Sequence, residues 1–325
     1  LGKTVLVVGG AGYIGAHCAR ALRDRGDRVV VYDDLSAGHR GAVQGELVVG
    51  DVRDGAALRA LFAKTRFDAV LHFAAKALVG ESVRSPSLYF DVNVGGTMTL
   101  ARAMVEAEIP ALVFSSSCSI YGTPTATPVD EGHRKAPESP YGLSKWMAEQ
   151  ALAHVRHAEG LGVACLRYFN AAGAHPDGTL GESHSPETHL LPLIFQSVLG
   201  TRPPLQIFGR DYPTPDGTAI RDYIHVLDLV DAHLCALDLL VGGHRGDAWN
   251  LGTGQGASVL QVIQSVERVT GRRVPTVDAP RRPGDPSAIW AQSKRAQAEL
   301  GWTPNWTELD RIVDTAWRWA QAPRY

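Results

Sequence analysis

Tyr141 and Lys145 stand four residues apart, a spacing that puts both side chains on one face of a helix, one turn from each other. An ammonium beside a phenol favours the phenolate and draws its pKa down from about 10. Such a phenol can serve as general base toward a hydroxyl whose carbon gives up hydride. Upstream, Phe114-Ser115-Ser116-Ser117-Cys118-Ser119 leaves a strand pattern with hydroxyls for a reacting oxygen. Near the start, Gly9, Gly12 and Gly15 have GxxGxxG spacing between an apolar run and a helical pattern. Glycines there let the backbone turn tightly and approach a pyrophosphate, which free N–H groups and the positive end of the helix dipole then hold. Asp33 lies 18 residues past Gly15, at the end of the next strand pattern. A carboxylate there accepts from adenosine ribose hydroxyls and repels a 2′-phosphate, so NAD is expected rather than NADP. Asp51, after a third strand pattern, reads equally as a contact to the adenine or as a solvated strand end.

These groups act together only if regular elements deliver them to one edge. Strand patterns at Thr4–Val8, Val29–Tyr32, Leu47–Val49, Ala69–Phe73, Ala111–Phe114 and Val163–Tyr168 alternate with helical patterns at Ala16–Arg25, around Ala56–Ala63 and at Val94–Ala107. A long helix is predicted from Ser139-Pro140, an N-cap residue followed by a first-turn proline, to about His157. The alternation predicts an α/β fold: a Rossmann-type doubly wound parallel sheet, with a smaller mixed α/β domain for the substrate. After Asn170 the texture becomes irregular, and His175–Pro186 and Tyr212–Gly217 are rich in Gly, Pro, Ser and Asp. Residues 1–170 are therefore expected to form the dinucleotide domain and 171–325 the second domain, with the segment near 218–252 as a candidate return to the first. No internal repeat, heptad run or low-complexity tract is present.

Composition narrows the function classes. The 325 residues carry 32 basic and 34 acidic side chains, a net charge of −2, so no nucleic-acid or membrane partner is expected. Cys18, Cys118, Cys165 and Cys235 lie far apart without a CxxC pair and read as free thiols of a reducing cytosol. No apolar run approaches the roughly 18 residues needed to span a bilayer, and no signal-peptide pattern is seen, so a cytoplasmic location is expected. The twelve histidines lack metal spacing. His175, His184 and His189 fall on predicted loops as surface or capping residues, and no metal is expected. Trp302, Trp306, Trp317 and Trp319 are expected to fill the smaller domain's core or brace its last helix.

The ordered set of Gly9–Gly15, His72-Phe73-Ala74-Ala75, Val79-Gly80-Glu81-Ser82, Ser115–Gly122, Ser139–Lys145 and Arg167-Tyr168-Phe169-Asn170 resembles the UDP-galactose 4-epimerase family of extended short-chain dehydrogenases/reductases. The resemblance continues through Gly173–Pro176, Ile207-Phe208-Gly209, Asp211–Thr214, Arg221–Val226 and Ala279–Asp285, so it covers nearly the whole chain. It implies that Tyr141 is the general base, that Lys145 tunes it and binds the nicotinamide ribose, and that Ser117 bonds the sugar 4-oxygen. Tyr13, Ile14, Val52, Phe73, Ala74, Asn93 and Tyr168 join the glycines, Asp33 and Asp51 in the implied NAD set. The implied UDP-sugar set is Ser117, Tyr141, Asn170, Leu190, Phe208, Arg221, Arg282, Asp285 and Ile289. The chemistry agrees: the two arginines can pair bidentately with a diphosphate, Phe208 can contact uracil, and Asp285 can accept from ribose. Arg221 and Arg282 could instead bridge local acids such as Asp222 and Asp285.

The implied activity interconverts UDP-glucose and UDP-galactose by transient hydride transfer to bound NAD through a 4-keto sugar. Three departures stand out. Val8 replaces a common Thr, His189 a common Asn, and Ile289 lies where some relatives have a bulky Tyr. The last leaves open whether UDP-GlcNAc/UDP-GalNAc are accepted as well. A nucleotide-sugar dehydratase or decarboxylase would want an acid within Ser117-Cys118-Ser119, where none occurs. A non-catalytic NAD sensor is the remaining alternative. Met98, Met104, Val105, Trp146, Leu152 and Val155 exceed what one sheet-facing stripe uses. By resemblance they point to a four-helix contact in a homodimer, although packing within the monomer explains them equally.

Overall fold

The computed structural model describes residues 2–282 and 284–325. The first half runs β1 (Thr4–Val8), α1 (Tyr13–Asp24), β2 (Arg28–Asp33), β3 (Glu46–Val49), α2 (Gly55–Lys64), β4 (Ala69–His72), α3 (Val79–Arg84), α4 (Pro86–Tyr89), α5 (Thr97–Glu106), β5 (Ala111–Ser117), α6 (Pro140–Glu159) and β6 (Gly162–Tyr168). The second half holds β7 (Asn170–Ala172), α7 (Leu190–Val198), β8 (Leu205–Phe208), β9 (Ile220–His225), α8 (Val226–Val241) and β10 (Ala248–Leu251). It ends with β11 (Gly256–Ser258), α9 (Val259–Thr270), β12 (Thr276–Ala279), β13 (Ala288–Ile289), α10 (Lys294–Leu300) and α11 (Leu309–Gln321).

Unbroken apolar strands need cover on both faces, and the period-2 pattern of a strand divides them. Val5 and Val7 of β1, Val29 and Val31 of β2, and Leu71 of β4 join a core with Cys18 and Leu22 of α1 and Leu229 and Leu237 of α8. Their neighbours Leu6, Val8, Val30 and Val70 join the opposite core with Leu58 of α2, Met104 of α5 and Leu152 of α6. Each fully buried side chain of this size contributes about 1.5–3 kcal/mol. The resulting sheet is parallel throughout, in the order β3-β2-β1-β4-β5-β6-β10. Its order reverses direction between β1 and β4, the switch point where such sheets open a crevice at their carboxyl edge.

The smaller lobe is built around β9, which pairs with β7, β11 and β13. Beside it β8 and β12 form a parallel pair, and Leu191 and Phe195 of α7, Val262 of α9 and Val313 and Trp317 of α11 fill a separate core. Of the segment 218–252, β9 stays in the smaller lobe, whereas α8 packs on the large sheet and β10 becomes its edge strand. A second return was not anticipated. Ala296 and Leu300 of α10 and Trp302 join the core of the large sheet, and the indole of Trp302 donates to the Asp228 carbonyl at 2.8 Å. Of the four tryptophans, Trp302 therefore corrects the expectation of a place in the smaller core, because aromatic bulk alone does not say which core it fills.

The helix predicted from Val94 begins earlier and is interrupted. Backbone helix starts at Pro86 and passes through a π-helical turn at Phe90–Gly96 before α5. That wide turn carries Asn93, which is 1 % exposed. Among the described residues no helix is long and apolar enough to cross a membrane, and the four cysteines are unpaired.

Candidate active site

The turn after β1 shows what each glycine is for. Gly9 has φ +80, and a Cβ there would lie 2.3 Å from the Ala74 amide nitrogen; at Gly15 a Cβ would lie 2.2 Å from the Gly9 carbonyl. Both are needed for the chain to close on itself. Gly12 is different, because a Cβ there would meet nothing nearer than the Gly9 oxygen at 3.5 Å. It is also the N-cap of α1, with no side-chain cap and no acid in the first turn. The protein leaves this helix end open, as a cradle that a phosphate fits. Gly12→Val should therefore melt within a few degrees of the unaltered protein yet retain roughly tenfold less NAD or worse, a loss of about 1.4 kcal/mol. Acid release of the nucleotide followed by chromatography checks this.

Asp33 ends β2 beside that turn. Its carboxylate accepts from the backbone N–H of Ala11 at 2.9 Å and of Leu35 at 2.8 Å. Burial raises its pKa, and those two bonds oppose the rise. Tyr13 and Ile14 point their side chains into the protein: the Tyr13 hydroxyl donates to the Gly173 carbonyl at 2.5 Å, and Ile14 packs on the core. Only their backbone is offered to a dinucleotide. Asp51 is held by Arg53, whose Nε lies 3.0 Å from Oδ1, and that bond lowers its pKa. Val52 beside it is buried.

Phe73 and Ala74 follow β4, and both amides donate to the Val8 carbonyl, at 2.7 and 3.1 Å. Asn93 then grips Lys76 by its backbone, accepting from its N–H at 2.8 Å and donating to its carbonyl at 3.0 Å. The Lys76 ammonium has no ion pair among the described residues. Sequence reading passed over this residue. Its signal was a lysine two positions past the strand-end Phe73-Ala74, at the edge where anionic ligands bind.

At the same edge β5 ends in three serines that alternate in direction. Ser115 and the hydroxyl of Tyr168 on β6 are bonded. Ser117, which accepts from the Ser119 N–H at 3.1 Å, points to that same side. Ser116 faces away and donates to Glu149. The predicted N-cap is present, with the Ser139 Oγ accepting from the Gly142 N–H at 3.1 Å, and it sets α6 so that Tyr141, Lys145 and Glu149 stack one turn apart.

Burial pushes the Tyr141 phenol up to about 12, and the neighbouring Ser117 hydroxyl offsets part of that rise. Burial also lowers the Lys145 ammonium to about 8, opposed by Glu149. The expected ammonium–phenol contact is not made. Lys145 Nζ donates instead to the Ser115 carbonyl at 2.9 Å and lies 5.0 Å from the Phe114 ring centre. Burial rather than the lysine's charge is the largest influence on the phenol, with the neighbouring Ser117 hydroxyl opposing it.

The smaller lobe supplies the other wall. Arg221 on β9 is ion-paired with Asp285, while the Arg282 guanidinium stacks 3.9 Å above the Phe208 ring. Asn170 and Ile289 lie on the strands flanking β9, in register with Tyr223 and Arg221. Asp222 is not the partner of Arg221: its buried carboxylate accepts from the backbone N–H of Thr253 at 2.9 Å, of Gly254 at 3.1 Å and of Ala291 at 3.1 Å. Leu190 begins α7 and packs on the smaller core. Ile289, 4 % exposed, packs with Ile120, Tyr121 and Phe169 directly after the serine turn.

Comparison with known proteins finds relatives that span nearly the whole chain. Residues 5–252 match the NAD dependent epimerase/dehydratase family. A UDP-glucose 4-epimerase of Lacticaseibacillus casei is 46 % identical over 318 residues, which is 97 % of this chain and 96 % of that protein. The crystal structure of UDP-glucose 4-epimerase from Brucella ovis in complex with NAD superposes with a TM-score of 0.95 at 47 % identity, covering 97 % of each chain. The enzyme of Stenotrophomonas maltophila, with bound NAD and formylated UDP-arabinopyranose, gives 0.95 at 42 % identity over 98 % of each chain.

Proposed function

Because the chain belongs to the NAD dependent epimerase/dehydratase family, we infer that it interconverts UDP-glucose and UDP-galactose as a 4-epimerase. The observation that carries this reading is the half-buried Tyr141 phenol beside Ser117, at the sheet edge that also holds the open helix end at Gly12. The residues present fit NAD: an open phosphate cradle, an acid at Asp33 and Lys76, which has no ion pair among the described residues. When bound, NAD supplies a hydride acceptor that also serves as donor for the return step, so no outside redox partner is needed.

The roles are assigned from this arrangement. Tyr141 takes the proton of the sugar 4-hydroxyl and returns it, and Ser117 holds the same oxygen through both events. Lys145, anchored on Ser115, fixes the height of the helix and meets the nicotinamide ribose. The cofactor set is Gly9, Gly12, Tyr13, Ile14, Gly15, Asp33, Asp51, Val52, Phe73, Ala74, Asn93 and Tyr168, with Lys76 added. Arg221, Arg282, Phe208, Asp285, Asn170 and Leu190 receive the UDP handle, which keeps a keto sugar bound while it turns over. Ile289, packed beside the serine turn, is smaller than the Tyr that some relatives carry there, which supports room for an N-acetyl group at the sugar 2-position.

The deciding experiment incubates the enzyme, without added NAD, with UDP-galactose, UDP-GalNAc and UDP-galacturonate, and separates the products by chromatography. Conversion of UDP-galactose to UDP-glucose is expected. Turnover of the uronate alone would replace the substrate assignment, and no turnover of any sugar would favour a non-catalytic NAD protein.

The lobes follow the sheets: residues 1–170 form the NAD domain, rejoined by α8, β10 and α10, and the rest binds the UDP-sugar. A cytoplasmic location suits the four unpaired thiols. The homodimer reading survives on different residues. Met104, Leu152 and Val155 are buried in the monomer, whereas Leu143 and Met147 of α6 and Val79 and Val83 of the adjoining α3 are exposed. This patch is the proposed twofold contact, and a monomeric mass by light scattering would exclude it.

A further inference from the structure

The segment Glu182-Ser183-His184-Ser185-Pro186-Glu187-Thr188-His189 folds four potential ligands together, far along the chain from the serines and Tyr141. One ligand atom from each of Glu182, His184, Glu187 and His189 lies within 4.8 Å of all the others. Both imidazoles present the same nitrogen. Nδ1 of His189 is 2.9 Å from Glu182 Oε1 and 2.8 Å from Glu187 Oε1. Nδ1 of His184 is 3.3 Å from Glu182 Oε1 and 3.6 Å from Glu187 Oε2. Glu182 and Glu187 expose only 9 % and 5 % of their side chains.

Hydrogen bonding accounts for only part of this: His189 Nδ1 bonds Glu187 Oε1 at 2.8 Å, and His184 Nδ1 is left over. His184 Nδ1 is shielded from solvent and makes no hydrogen bond, although two carboxylates face it. A buried polar atom without a partner is costly. In a tetrahedral site with bonds of about 2.1 Å, ligand atoms sit roughly 3.4 Å apart, and the four separations here bracket that spacing. We propose that Glu182, His184, Glu187 and His189 form a site for a divalent metal ion of the zinc class.

The chemistry selects the class. Two imidazoles, which would give up their Nδ1 protons as the ion binds, suit zinc and its transition-metal neighbours rather than magnesium or calcium, which take oxygen ligands. Two carboxylates balance the ion's charge in a partly buried place. The supporting contacts are also in place. Glu187 Oε1 accepts from the N–H groups of Thr188 and His189 at 2.7 and 2.8 Å, and the Glu182 carbonyl accepts from the Trp319 indole at 2.8 Å. A cleft of about 280 Å³ lined by Glu182, His184 and Glu187 gives an ion its way in. The ring of His184 stands edge-on to Tyr13, 6.4 Å between centres, so the ion would clamp this loop against the first residue of α1. This revises the expectation of no metal. Reading the histidines alone concealed the interleaved Glu-x-His-x-x-Glu-x-His pattern.

The test uses tag-free protein stripped with a chelator and titrated calorimetrically with Zn²⁺ alone, beside the double variant His184→Ala/His189→Ala. One equivalent is expected to bind the unaltered chain, at least 100-fold more tightly than the variant, and to raise its melting temperature by several degrees. Should the variant fail to fold, Co²⁺ added to the stripped unaltered protein decides, since a four-coordinate N/O site gives strong visible d–d absorption that Zn²⁺ then displaces. Absence of saturable binding to the unaltered protein, equal binding by the folded variant, or a Co²⁺ spectrum of the hydrated ion would each overturn the proposal.

Discussion

Tyr141→Phe is expected to turn over UDP-galactose roughly 10²–10⁴-fold more slowly than the unaltered enzyme, with its NAD content and melting temperature unchanged. The substitution removes a single oxygen. The ring itself packs edge-on to Tyr89, 6.5 Å between centres, and phenylalanine keeps that contact. The start of α6 is fixed by Ser139 and Pro140 rather than by the phenol, so the helix should stay in place. What disappears is the one group beside Ser117 that can carry a proton away from the sugar oxygen and bring it back. A phenol pushed up to about 12 accepts a proton only as phenolate, so its use depends on nearby positive charge drawing that pKa down and on hydride leaving the carbon that carries the reacting oxygen in the same event. The measurement is kcat at saturating UDP-galactose, with nucleotide content determined on the same preparation. Retention of a tenth or more of the rate would move the proton to another residue.

Glu149→Leu should lower the melting temperature by more than most single substitutions. Glu149 and Arg167 expose 3 % and 6 % of their side chains and pair through bonds of 2.6, 3.0 and 3.1 Å. Glu149 also accepts from Ser116, and Arg167 donates to the Tyr121 hydroxyl at 3.1 Å, which in turn donates to Asn250 at 2.6 Å. The network joins β5, α6, β6 and β10 beneath the catalytic edge. Removing the carboxylate leaves a guanidinium buried without its counter-charge, a cost of about 3–5 kcal/mol. With an unfolding entropy of roughly 2.1 cal/mol/K per residue over 325 residues, that is a fall of about 4–7 °C. The double variant Glu149→Leu/Arg167→Met should recover most of it, because a matched apolar pair carries no desolvation penalty. Thermal melts of both variants check the pair, and a single variant that melts with the unaltered protein would show the charge to be hydrated after all.

Local signals were read well where the chain itself supplies the reason for its shape. The glycine turn, the alternation of β1 and β2, and the Ser139-Pro140 start of α6 all depend on neighbours within a few residues, and each stands where the sequence placed it. Three features depend on distant partners and were missed. The π-helical turn at Phe90–Gly96 exists to bring Asn93 to Lys76, which no periodicity within the helix reveals. Trp302 selects its core by reaching Asp228. The apolar residues of α5 and α6 divide between core and surface by tertiary packing, so Met104 of α5 and Leu152 of α6 are core rather than surplus, and Leu143 and Met147 of α6 are the exposed ones. The site shows the same split. Spacing singles out Tyr141 and Lys145, and the family resemblance Ser117, but the turning of Lys145 toward the Ser115 carbonyl follows from tertiary packing that spacing does not carry.

The late return of the chain to its first sheet also has a kinetic consequence. β6 ends at residue 168 and its neighbour β10 begins at residue 248. At translation rates of about 5–20 residues per second, the ribosome takes roughly 4–16 s to cover that gap. Throughout it, β6 is an open edge of apolar sequence on a nascent chain, the kind of edge that pairs with other strands. Trp302 and α10, which cover the far side of β10, are made later still. The NAD half is complete by residue count well before it is complete as a sheet, so during synthesis its last-paired edge is exposed longest.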